Sequence, residues 1–75
     1  MRKWIFTFMQ KQETRDNFLV IEGKDEAEAR KKVFDAIGGR FFTSYPYDDS
    51  AKEMISKFKL VEIALEDAVE ILNDK

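Results

Sequence analysis

A nucleophile needs a base beside it, and this chain of 75 residues contains neither histidine nor cysteine. The usual neutral-pH base, the usual soft metal ligand and the thiolate nucleophile are therefore all absent. Serine chemistry would have to draw on Ser44, Ser50, Ser56 or a threonine next to a lysine, and no spacing marks such a pair. Asp48 and Asp49 form the one tight acidic pair outside the predicted helices, where acid and base steps could be shared between carboxylates. The same pair, placed ahead of an apolar-periodic run, reads as a helix cap. The alternating acids of a calcium loop are missing. Gly38-Gly39-Arg40 could turn backbone amides toward an anion, but it equally ends a helix and begins a turn. The expectation is a protein that binds rather than catalyses, with no catalytic, cofactor or metal residues.

Three binding chemistries can be read from residue types. Arg30, Lys31, Lys32 and Arg40 lie close in sequence to Phe41, Phe42, Tyr45 and Tyr47, and cations interleaved with rings can hold single-stranded nucleic acid. Arg30, Lys31, Arg40 and Phe41 are the candidate residues of that alternative; an acidic chain with pI near 5.1 argues against it. The opposite reading is an acidic array imitating phosphates, from Asp48, Asp49, Glu53, Glu62, Glu66, Asp67, Glu70 and Asp74, diluted by four lysines in the same part of the chain. Tyr45, Pro46 and Tyr47 give the preferred contact point, a proline-stiffened loop presenting two amphipathic rings to a protein partner. The competing reading has both rings covering a sheet.

The elements that would position these residues follow from periodicity. Trp4, Phe6 and Phe8 alternate with Ile5, Thr7 and Met9, which predicts a strand over 2–10. Polar residues from Lys11 to Asn17 predict a hairpin loop, and Phe18-Leu19-Val20-Ile21 a second strand ending at Gly23, paired antiparallel with the first. Asp25 and Glu28 predict a helix start, and Gly38 its end. In that helix Ala29, Val33, Ala36 and Ile37, with Phe34 beside them, form the apolar stripe, while Glu26, Arg30, Lys31 and Asp35 face water. Residues 40–45 predict a third strand stopped by Pro46. Asp48 or Asp49 caps a second helix whose inward face carries Ala51, Met54, Ile55 and Phe58.

Two continuations are open from Lys59. Val61, Ile63 and Leu65 suit the inward face of a strand over 59–65, followed by a short helix from Glu66 and Asp67 through Ala68, Val69, Ile71 and Leu72. Alternatively Ala51, Met54, Phe58, Val61, Leu65, Ala68 and Leu72 fit one long helix with heptad spacing, which would pair as a coiled coil. The strand reading is preferred because Leu-Val-Glu-Ile-Ala-Leu is rich in strand formers and a lone long helix would leave a three-stranded sheet poorly covered. The fold class is then α+β, a single domain over 1–75 with a three- to four-stranded, mainly antiparallel sheet packed by helices in the order ββαβαβα. The alternative is ββαβ followed by one long C-terminal helix.

A chain this short buries only about 60% of the surface its unfolded form exposes, and ten aromatics supply much of what there is to bury. Its apolar runs are too short for a membrane span or a signal-peptide core, so no membrane is expected; with no cysteine, the cytoplasm fits. Residues 1–45 hold nine Lys/Arg against seven Asp/Glu, and residues 46–75 four against eight. That asymmetry of +2 and −4 suits pairing with a partner or with a second copy, and a homodimer is one expectation.

Taken together, Trp4-Ile5-Phe6-Thr7-Phe8, Val20-Ile21-Glu22-Gly23, Glu26-Ala27-Glu28-Ala29-Arg30 and Ile37 to Tyr45 resemble small uncharacterised accessory proteins of bacteriophages and prophages. The resemblance covers most of residues 1–65, with Ile37-Gly38 where those proteins carry an aromatic-glycine pair. It implies a mobile-element setting in the host cytoplasm and no particular activity. The functional expectation is a non-enzymatic protein that binds a host or phage protein, for instance in host takeover or anti-defence. Alternatives are a nucleic-acid or nucleotide-binding module and a homo-oligomeric structural protein.

Overall fold

Alternation decides which way the first strand, β1 (Arg2–Thr7), faces: Trp4 and Phe6 turn to one side of the sheet and Ile5 to the other, and all three are buried. The computed structural model describes residues 2–73. β1 pairs antiparallel with β2 (Asn17–Gly23), with Trp4 opposite Ile21, Ile5 opposite Val20 and Phe6 opposite Leu19. On its other side β1 pairs antiparallel with β3 (Thr43–Pro46), so the N-terminal strand lies inside the sheet. β4 is only Val61–Glu62 and joins β2 in parallel, giving the order β3-β1-β2-β4. With α1 (Glu26–Ile37), α2 (Asp49–Phe58) and α3 (Leu65–Asn73), the elements follow as ββαβαβα around a mostly antiparallel four-stranded sheet.

Both faces of that sheet are covered. Trp4, Phe6, Phe8, Leu19 and Ile21 pack with Ala29, Val33 and Ile37 of α1 and Ala68 of α3. On the opposite face, Ile5 and Phe18 pack with Ala51 of α2, and Val20, Tyr47, Met54, Ile55 and Leu60 close around them. The α1 crossover from β2 to β3 and the α2 crossover from β3 to β4 run in opposite directions on opposite faces. Reversing both direction and face preserves hand, so the two crossovers share one.

Local signals account for the helix ends. The Asp25 carboxylate accepts from Glu28 N–H at 2.9 Å, and the Glu28 carboxylate accepts in turn from Lys24 N–H at 3.2 Å, one residue short of a reciprocal capping box. Gly38, at φ 65°, ends α1 and donates its N–H to Phe34 C=O at 2.7 Å. Asp48 caps α2 by accepting from Ala51 N–H at 3.0 Å. α2 stops at Lys59, a non-glycine residue in the left-handed region with φ 54°.

That left-handed residue settles the ambiguity after Phe58. The chain turns, adds two residues to β2 and begins α3 within a few positions, so the heptad-spaced residues are divided between helices on opposite faces. Only part of the 59–65 strand forms. Ile63 and Leu65 pack on the α1 side, whereas Val61 is exposed and Leu65 already belongs to α3. The first strand ends at Thr7 rather than residue 10, because Met9, Gln12, Arg15 and Asn17 enter successive backbone turns. The third strand begins at Thr43 rather than residue 40 and includes Pro46.

Candidate functional site

The basic-aromatic set proposed for nucleic acid is largely engaged inside the protein. Arg40 donates from Nε to Ile37 C=O at 2.8 Å, from Nη1 to Leu72 C=O at 2.9 Å and from Nη2 to Asn73 Oδ1 at 2.7 Å, clipping α3 to the end of α1. Phe41 packs edge-on against Phe6 with ring centroids 5.2 Å apart, and Arg30 lies over its ring at 5.8 Å. Lys31 reaches Asp35 at 3.0 Å, and Lys32 donates to Glu22 C=O at 2.8 Å. Phe42 alone of the neighbouring phenylalanines stands exposed. The acidic array is divided too: α2 and α3 carry its members to opposite sides of the sheet, and Asp74 lies outside the described residues.

Tyr45, Pro46 and Tyr47 do not form a projecting loop. Tyr45 and Pro46 are the last residues of edge strand β3, and Tyr47 is half-buried in the α2-side cluster with the Lys52 ammonium 5.5 Å from its ring centroid. Tyr45 and Pro46 do flank a surface hollow of about 230 Å³ against Asp48, Ala51 and Met54. Ser44 acquires a carboxylate neighbour invisible in the sequence: its hydroxyl donates to Glu26 at 2.8 Å and accepts from Arg30 Nε at 3.2 Å. It is nevertheless buried between β3 and α1 and lines none of the surface hollows described here, so this network fastens a helix to an edge strand. Among the described residues no three acids converge as a metal would require.

A longer apolar feature runs beside α2. The hollow at Tyr45 shares Met54 with a second, of about 350 Å³, walled by Phe8, Phe42, Met54, Phe58 and Leu60. The second shares Phe8, Gln10 and Phe42 with a third, of about 550 Å³, which reaches Met9 and Lys11. Phe42, Phe58 and Met9 around this groove are 68%, 61% and 41% exposed. Large apolar side chains scattered singly need no explanation, but several meeting along one groove form a contiguous exposed apolar patch.

The sequence contained this signal in disguised form. Ala51, Met54 and Phe58 are spaced as one helix stripe, which was expected to face the sheet along its whole length. Only Ala51 is buried; Phe58, the last residue of α2, stands exposed beside Thr7, Arg15 and Asp16 at the end of the β1-β2 pair. Phe42 was expected within a strand but precedes β3, where its N–H still donates to Thr7 C=O at 2.8 Å. Among the described residues no helix is long and apolar enough to cross a membrane. Comparison with known protein families, with curated proteins and with solved structures gives no match to this chain.

Proposed function

We propose that this chain is a non-enzymatic binding protein that grips another protein through the groove between α2 and the β1 end of the sheet. The observation that carries the reading is the meeting of exposed Phe42, Phe58 and Met9 along connected hollows. Aromatic and methionine side chains are enriched at interface centres, and a ring held by a rigid scaffold loses little entropy on binding. Tyr45 extends the same surface past Met54, so the tyrosine-proline contact point becomes one end of a longer interface. The resemblance of the β1, β2 and α1 segments to phage and prophage accessory proteins supports a host or phage protein as the partner and the host cytoplasm as the setting.

The test is a tagged pull-down from bacterial lysate, with and without nuclease, using the wild type and a Phe42→Ser, Phe58→Ser double variant. Both rings are exposed, so the variant should keep its fold, which a thermal melt verifies. A stoichiometric partner that survives nuclease and is lost with the double variant supports the reading. Equal capture by both proteins, or loss of every partner after nuclease, overturns it.

A further inference from the structure

Charge at the end of the groove around Phe42 and Phe58 runs against the charge of the chain. The protein is acidic overall, with a formal net charge of −2. Yet Lys11 lines the hollow at Met9, Arg15 lines the hollow at Phe58, and Lys57 holds its ammonium 5.8 Å from the centroid of the Phe58 ring. Asp16 is the one carboxylate among the residues walling these two hollows, and Arg15 faces it at 4.0 Å. The partial negative charge at the end of α2 offsets roughly half of one cation. At this end of the groove Lys11 and Arg15 against Asp16, with Lys57 close by, leave a net positive rim around an apolar floor, while Asp48 lines the hollow at Tyr45.

Resting on the protein-binding reading above, we infer that the groove takes an acidic peptide segment carrying bulky apolar side chains, such as an amphipathic helix with Asp or Glu flanking its apolar face. The two hollows, about 350 and 550 Å³, reach the size of pockets that hold small ligands, about 300–1,000 Å³, which is room enough for a bulky side chain in each, and Phe42 lines both. A partner would therefore seat one bulky side chain in each hollow, both in contact with Phe42. Neighbouring hollows of this kind suit an amphipathic helix, which presents side chains three or four residues apart on one face. The cations stand at the rim, where they are solvated and act over a Debye length of about 10 Å at moderate salt. Their contribution is to choose the partner's charge and to speed its approach, while the apolar floor supplies the grip. Single-stranded nucleic acid would also meet cations and rings here, but the floor is formed by thioether and aliphatic side chains of Met9, Met54 and Leu60 as much as by rings, which favours a peptide.

The experiment is selection from a random displayed peptide library on the intact protein, with counter-selection on the Phe42→Ser, Phe58→Ser variant. The enriched pool is expected to be acidic, with bulky apolar residues three or four apart. A chosen peptide should bind about tenfold more weakly at low salt to a Lys11→Glu, Lys57→Glu variant, and this loss should shrink as salt rises. A neutral or basic pool, no enrichment over the counter-selected variant, or displacement of the peptide by oligothymidine would overturn the inference. A basic partner recovered by pull-down and lost with the double variant would sink the charge preference while leaving the protein-binding function standing. A pull-down indifferent to that variant would remove both.

Discussion

Arg40 offers a sharp way to separate structural from nucleic-acid roles, because its guanidinium makes three hydrogen bonds to the ends of two helices. Replacing it with methionine keeps most of the apolar stem and removes every one of them. A hydrogen bond to a charged donor contributes about 1.5–3 kcal/mol, but Arg40 is half-buried and water can reach helix-end carbonyls, so about 2–3 kcal/mol in all is the reasonable sum. With 75 residues, and unfolding entropy near 2.1 cal/mol/K per residue, each kcal/mol moves the melting midpoint by about 6 °C. Arg40→Met should thus lower Tm by roughly 12–18 °C in a circular-dichroism melt. Arg40→Lys, which keeps charge but loses the fork, should fall between. Lys31→Met removes only an exposed i,i+4 pair and should shift Tm by no more than about 3 °C. A Tm for Arg40→Met within about 3 °C of wild type would refute the clip, and the refutation would be complete if the same variant lost oligonucleotide binding.

Three further substitutions test the packing and backbone arguments. A Cβ at Gly23 would lie 3.0 Å from Ala29 N and 3.1 Å from Asp25 C=O, both backbone atoms, so Gly23→Ala should destabilise by about 1–3 kcal/mol in urea unfolding. Lys59→Gly should instead stabilise by about 0.5–1 kcal/mol, because glycine adopts the left-handed turn ending α2 without strain; a lower Tm would count against that account. Thr14 is fully buried with no hydrogen-bond partner for its hydroxyl, so Thr14→Val should raise stability by about 1 kcal/mol, and an equal loss would show that the hydroxyl is satisfied in solution.

Legibility in the sequence followed the range of the forces involved. Capping at Asp25 and Asp48, the stop at Gly38 and the aromatic alternation of Trp4, Phe6 and Phe8 act over a few residues, and those features stand where the spacing places them. The length of β4 was not legible, since the left-handed Lys59 carries no glycine or asparagine to announce it. The groove was misread for a related reason. Periodicity tells which side chains share a helix face but not how far the neighbouring elements cover it, and Phe58 at the end of α2 is left exposed. The engagement of Arg40 was hidden because its acceptors at Leu72 and Asn73 are over thirty residues away.

The brevity of β4 has a consequence for how the molecule opens. Between α2 and α3 the chain crosses from one face of the sheet to the other through two paired residues, tied by Val61 N–H to Asp16 C=O at 2.9 Å and Ile63 N–H to Phe18 C=O at 3.0 Å. With so slight a fastening, the segment from β4 onward is held mainly by Ala68, Ile63, Leu65, Val69 and Leu72 against the α1 side of the core and by the Arg40 clip, and is expected to open as a unit. Amide exchange should sort the protein into two tiers, with α3 opening at lower free energy than β1 and β2. Each opening would uncover the side of the sheet that carries Trp4 and Phe6 while the groove beside α2 keeps its walls. A protease could then trim the C-terminal helix from a molecule still holding its partner.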